Sequence, residues 1–174
     1  MASYGPLLHL VRRFVGSLRP GGPSEADRSW AVDHLLPSEA DLWARLSRAD
    51  RRHAVAVARG LMDRLGEAAR PVVAAALLHD VGKLDSGLGT AGRVVATLVA
   101  AAVRPTTVAS WSKVLGFRRR VADYLRHPEE GGTLLAEAGS DPLTVAWAAE
   151  HHRPPHHWTV DHQVGEALAE ADAD

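Results

Sequence analysis

The stretch Leu77-Leu78-His79-Asp80-Val81-Gly82-Lys83 decides how the rest of this chain is read. It closes the apolar run Pro71-Val72-Val73-Ala74-Ala75-Ala76-Leu77-Leu78, whose length and opening proline predict a buried helix. A histidine and an aspartate then stand where more apolar residues are expected. An ionised carboxylate buried without a partner or a metal costs several kcal/mol, roughly. Asp80 therefore needs a partner, and the other histidines of the chain are where to look for one.

The bulk properties narrow the chemistry. A chain of 174 residues, 46% of them apolar, is expected to fold as one domain with a real core. Lys and Arg number 20 and Asp and Glu 21, for a net charge of −1, so no global field argues for nucleic acid. There is no cysteine, which excludes disulfides and thiolate ligands. Any metal must take nitrogen and oxygen donors. The longest apolar run, residues 94–103, is far short of the roughly 20 residues that span a bilayer. Arg12 and Arg13 interrupt the apolar N-terminal segment, and no small-residue cleavage site follows, so a signal peptide is not expected. Together these set the expectation of a cytoplasmic protein without a transmembrane segment. Eighteen of the twenty basic residues are arginine, and alanine is abundant, as in chains from GC-rich bacterial genomes.

Read along the chain, the periodicity is helical throughout. Leu7, Leu8, Val11, Phe14, Val15 and Leu18 form one apolar face opposite His9, Arg12, Arg13 and Ser17. Residues 1–22 are read as this amphipathic helix plus the linker around Pro20-Gly21-Gly22, and residues 23–174 as a helical domain. The helix docks on its own domain or, alternatively, on a membrane surface or a partner. Helices are expected from Ser24 to His34, from Pro37 to Arg48, and from Arg51 to Leu65 with Asp50 as its cap. Gly87-Leu88-Gly89-Thr90-Ala91-Gly92 fits the dinucleotide pattern in letters only, because a helix precedes it where a strand is required. It reads as a turn, with Thr90 capping the helix that follows. Residues 94–103 read as a buried helix, and Thr106 or Thr107 opens another that carries Trp111. Val114, Phe117, Val121 and Leu125 then give a helical stripe beside Arg118, Arg119 and Arg120. His127 stands before Pro128 at a helix junction, and Pro128 to Ala138 continue as helix. Asp141-Pro142 is a cap and first-turn pair for a helix that ends at Glu150-His151-His152. The last helix runs from about Val160. No strand-like alternation is present, and the fold class is all-α, a compact helical bundle.

The polar residues that interrupt these apolar faces come in order: His53, His79-Asp80, His127, His151-His152, Asp172. His53 continues the stripe Val57, Leu61, Leu65 in steps of four, and Asp172 continues Val160, Val164, Leu168 in the same way. Stripe spacing favours Asp172 over the competing Asp161, whose own face, Gly165 and Ala169, is weaker. Neighbouring helical residues point about 100° apart, so His79 and Asp80 can address one ion together while Asp80 reaches a second with its other oxygen. Five imidazoles and two carboxylates suit one or two divalent ions among Mn, Fe, Co, Ni, Zn and Mg. His156, His157 and His162 read as a surface cluster, and His9 and His34 as structural or exposed.

This ordered set resembles the HD-domain metal-dependent phosphohydrolases, over roughly Asp50 to the C-terminus. His79-Asp80-Val81-Gly82-Lys83 is the family's H-D-x-G-K block as it stands, and His127-Pro128-Glu129-Glu130-Gly131 resembles the H-P-x-x-G block of the HD-GYP branch. Ala169-Glu170-Ala171-Asp172 resembles the segment that carries the family's last aspartate. The resemblance implies a first metal site of His53, His79, Asp80 and Asp172, with Asp80 bridging to a second site of His127, His151 and His152. It implies that Lys83 lies by the substrate phosphate or orients the attacking water. The substrate it implies is a small phosphorylated molecule, a nucleotide or other phosphodiester. Arg153, Arg126 and the Arg118–Arg120 run are candidate phosphate contacts. Two departures stand out. Arg153-Pro154-Pro155-His156-His157 replaces the G-Y-P motif, which argues against a cyclic di-GMP phosphodiesterase of the usual kind. Ala49 stands four residues before His53, where some HD-GYP proteins place a glutamate for a third ion. The same ligands also suit an HD-type di-iron oxygenase, or a metal-bound sensing module with weak catalysis.

Overall fold

A computed structural model describes residues 21–89, 92, 95–99, 103, 105–111 and 114–173. Ten helices are named here: α1 Glu25–Asp33, α2 Pro37–Arg45, α3 Arg48–Leu65, α4 Arg70–Leu78, α5 Lys83–Ser86, α6 Pro105–Ser110, α7 Phe117–Leu125, α8 His127–Glu137, α9 Pro142–Glu150 and α10 His162–Ala173. A short 3-10 turn, Pro155–His157, precedes α10, and residues 95–99 are also helical. Among the described residues there is no strand. The expected N-terminal amphipathic helix and the Thr90 cap lie outside the described residues.

Helix α4 is the axis of the bundle. Every residue from Val72 to Leu78 is buried, which is the behaviour of a helix apolar on all sides. Helices α2, α3, α9 and α10 pack around it, α10 also lies along α3, and α8 pairs with α9. Trp43, Leu61, Leu77, Leu135, Trp147 and Leu168 fill the space between them. Thr144 on α9 donates its hydroxyl to the Pro71 carbonyl at 3.0 Å, tying α9 to the first turn of α4.

The starts of the helices follow from short polar side chains. Ser24, Ser47, Asp141 and Asp161 each accept from backbone N–H groups of the turn that follows. Such a cap contributes about 1 kcal/mol. The expected cap of α3 moves accordingly. Ser47, not Asp50, closes the helix, and Asp50 sits one turn in, where its carboxylate accepts from the Ser47 hydroxyl at 2.7 Å. The reciprocal pair satisfies the first free N–H and lets α3 begin at Arg48.

Of the expected buried helix 94–103, the described residues 95–99 are helical but not buried throughout. Of its described residues Ala96 is buried, but Val95 is 43% and Leu98 65% exposed. Among its described residues, Ala96 and Val99 meet a second, smaller cluster with Leu88, Trp111, Val121, Tyr124 and Leu125. In the Val114–Leu125 stripe Val121 is buried, while Val114 and Phe117 remain exposed.

After α4 the chain makes a tight turn through His79–Gly82 and starts α5. Helix α5 packs against α7 and α8. At the contact Gly82 faces Gly131. A Cβ on Gly82 would lie 1.9 Å from the His127 carbonyl oxygen and 2.5 Å from the Gly131 nitrogen, both backbone atoms that cannot swing aside. The two glycines let the His79-Asp80 turn and the start of α8 touch. Gly82→Ala is therefore expected to lower stability by about 2 kcal/mol or more, whereas Gly89→Ala, which meets no atom within 4 Å, leaves it unchanged. Urea unfolding of both variants checks this, and equal midpoints would refute the contact.

Candidate metal centre

The turn after α4 sets two side chains of opposite chemistry side by side in the interior. His79 is 1% and Asp80 4% exposed, and His127, at the start of α8, is 6% exposed. The His151 side chain at the end of α9 is as deeply covered. Asp172 comes from the last turn of α10, and His53 from the first half of α3. The C-terminal ends of α4, α7, α9 and α10 thus supply or flank most of the set. A helix C-terminus carries partial negative charge, so this assembly favours a cation at its centre.

Three rings are held in the same way. Nδ1–H of His79 donates to the Ala76 carbonyl at 2.9 Å, that of His127 to Tyr124 at 2.7 Å, and that of His151 to Ala148 at 2.9 Å. Each carbonyl lies three residues back, in the last turn of a helix, where backbone oxygens lack a helical partner. A carbonyl only accepts, so Nδ1 must carry the hydrogen and Nε2 presents either a lone pair or a second proton. The Nε2 atoms of all three rings are buried and make no hydrogen bond. Buried nitrogens without a hydrogen bond are costly, and a metal ion could satisfy them.

Asp80 stands between the rings. Its Oδ2 lies 3.4 Å from His79 Nε2, and its Oδ1 lies 3.4 Å from His127 Nε2 and 3.8 Å from His151 Nε2. Lys83 Nζ also meets Oδ2. His53 Nε2 donates to Asp172 Oδ1 at 2.9 Å, and the same oxygen lies 3.5 Å from His79 Nε2. Donor atoms about 2.1 Å from a common ion sit about 3.0–3.4 Å from one another, so these gaps are close to those of a shared coordination shell. Two groups have the spacing to hold an ion: His53, His79 and Asp80, and His127, His151 and His152, with ligand atoms inside each group within 4.8 Å of one another.

The electrostatics of the cluster suit a cation. Burial works against a charge on His79, yet Asp80 and Asp172 outweigh it and raise this ring from 6.5 to about 10. Asp80 is disfavoured by burial too, but Lys83 and His79 hold it well below the usual carboxylate range. Burial, then the neighbouring rings, push His151 well below 6.5 and His152 to about 4. A proton on His79 thus stands beside Asp80, while His151 and His152 are neutral at pH 7.

The remaining expected residues fall into place or away. Asp161 is occupied as the cap of α10, accepting from Gln163 and Val164 N–H. Arg126, just before α8, pairs with Glu130 at 2.9 Å and Arg119 with Asp123 of its own helix at 3.5 Å, while Arg118 of α7 lies over Trp111, which follows α6. Arg153 is exposed beside His152. His156, His157 and His162 are exposed, and His34 donates to the Trp30 carbonyl and packs on its ring. His9 lies outside the described residues. Glu150 has no counterpart in the expected set. It is buried and accepts from Thr159 N–H at 2.7 Å and the Thr159 hydroxyl at 2.9 Å, pinning the loop that follows His151-His152. A carboxylate directly before a histidine pair was the available signal.

Because a metal takes only the neutral ring, loading must displace the His79 proton below about pH 10, while His151 and His152 have none to lose at neutral pH. Metal affinity is expected to rise roughly tenfold per pH unit from pH 7 to 9. Chelator competition with Mn(II) at several pH values measures it, and a flat profile would contradict the arrangement. The same shift gives the metal-free chain a stabilising term from His79 that is complete below pH 6.5 and lost as pH rises through about 10.

No family model, curated protein or solved structure matches the chain, so the functional reading rests on these residues and their geometry.

Proposed function

We propose that the chain is a metal-dependent phosphohydrolase of the HD type, acting on a phosphate ester such as a nucleotide or another phosphodiester. One observation carries the reading: the two oxygens of buried Asp80 face different groups of imidazole nitrogens. His53, His79, Asp80 and Asp172 would hold one divalent ion, and His127, His151 and His152, with Asp80 beside them, a second. Such ions would supply an acidified water as nucleophile and offset charge on the phosphate.

The protein's own groups do the rest. The carbonyls of Ala76, Tyr124 and Ala148 fix three rings, so the ligands need little rearrangement when a substrate arrives. Lys83 neutralises Asp80 and stands where it can donate to a phosphate oxygen or orient the water. The deep side is closed by His79, His127 and His151, whereas His53, Asp172 and His152 retain exposure, so the substrate enters across that rim. Arg153, next to His152 on the exposed side, is the arginine best placed to meet its phosphate. Arg126, paired with Glu130, is the weaker candidate.

Hydrolysis of a phosphomonoester and phosphodiester panel with added Mn(II), Fe(II) or Mg(II) tests the reading. Asp80→Ala is expected to abolish metal binding and turnover together. Lys83→Ala is expected to keep its metal and lose roughly 10²-fold in kcat. Full activity in Asp80→Ala, or iron-dependent oxygen consumption without hydrolysis, would overturn the proposal.

A further inference from the structure

Away from the metal centre, three arginines line one pocket. Arg28 of α1 and Arg48 and Arg51 of α3 line a pocket of about 240 Å3 with Gly22 and Pro23. Arg48 and Arg51 are three residues apart and share a face of α3, whereas His53 is two residues past Arg51, roughly 200° around the helix. The pocket therefore opens on the other side of α3 from the metal centre. Of the three arginines, Arg28 pairs with exposed Glu25 at 2.5 Å. Nearby Asp27 is engaged by Ser24 and Arg59. Arg51 lies over the Trp43 ring, and its Nε is buried without a hydrogen-bond partner.

Glu25 offsets the charge of Arg28, whereas the positive charges of Arg48 and Arg51, held on one face of α3, favour a further anion beside them. The N-terminal twenty residues do not contain one, since they carry Arg12, Arg13 and Arg19 but no aspartate or glutamate. Guanidinium groups favour planar and tetrahedral oxyanions, which they bind through paired N–H donors. The volume is below the roughly 300–1,000 Å3 of pockets that take drug-sized ligands, so it suits one phosphate or pyrophosphate unit.

The geometry points to a second anion site, formed by Arg28, Arg48 and Arg51, for an inorganic phosphate- or pyrophosphate-sized ligand and separate from the metal centre. It is independent of the hydrolase reading. Arg48→Gln touches only an exposed side chain, so the variant is expected to fold. Titration calorimetry of the full chain with inorganic phosphate is expected to show a binding event that weakens roughly tenfold or more in Arg48→Gln, with hydrolytic turnover unchanged. In the unaltered chain, phosphate is expected to shield Arg28 and Arg48 from phenylglyoxal, read by peptide mass spectrometry, while exposed Arg45 stays reactive. An unchanged isotherm in Arg48→Gln, or equal modification of Arg28, Arg45 and Arg48 with and without phosphate, would overturn the proposal.

Discussion

The architecture turns on one constraint: a carboxylate placed at the end of a helix that is buried on every side. Asp80 cannot be left alone at 4% exposure, because the interior has no water to solvate its charge. Its position forces the neighbouring helices to bring compensating groups. His79 comes from the same turn, His127 from α8, His151 from the end of α9 and Lys83 from the first turn of α5. Four elements converge there for an electrostatic reason, and the apolar core around α4 holds them in place.

The second constraint is the fixing of the rings. A histidine left to rotate would bury its nitrogens unpredictably and lose affinity for any ligand. Here the unused carbonyl oxygens at helix ends take Nδ1–H, and a feature of helix geometry becomes a device for aiming Nε2. Gly82 and Gly131 add the steric half of the arrangement. Without side chains at those positions, the turn that carries Asp80 and the helix that carries His127 approach to backbone contact.

Much of this was legible in the chain. The apolar run before His79 announced α4, and the proline after Asp141 announced α9. Steps of four from Val160 pointed to Asp172, which the structure brings within 2.9 Å of His53. For α9 and α10 the reading succeeds through capping and a defined apolar stripe, and for α4 through an apolar run opened by proline and buried on every side. Among the described residues 95–99, by contrast, composition suggested burial that Val95 and Leu98 do not have. The ring-to-carbonyl bonds were not readable, since they depend on which residue ends each helix. Nor was the Gly82–Gly131 contact, which joins segments distant in sequence. Ser47 displaced Asp50 as a cap because its hydroxyl accepts from the Asp50 N–H and donates to the Asp50 carboxylate, which starts the helix three residues earlier.

The central claim is that the histidines and carboxylates around Asp80 hold two metal ions. Metal-to-protein stoichiometry, measured by plasma mass spectrometry on the full chain after loading with Mn(II) and removal of unbound ion, tests it most directly. The account predicts about two ions per chain in the unaltered protein and a marked loss in Asp80→Ala. A chain that retains no metal under any loading condition would contradict it.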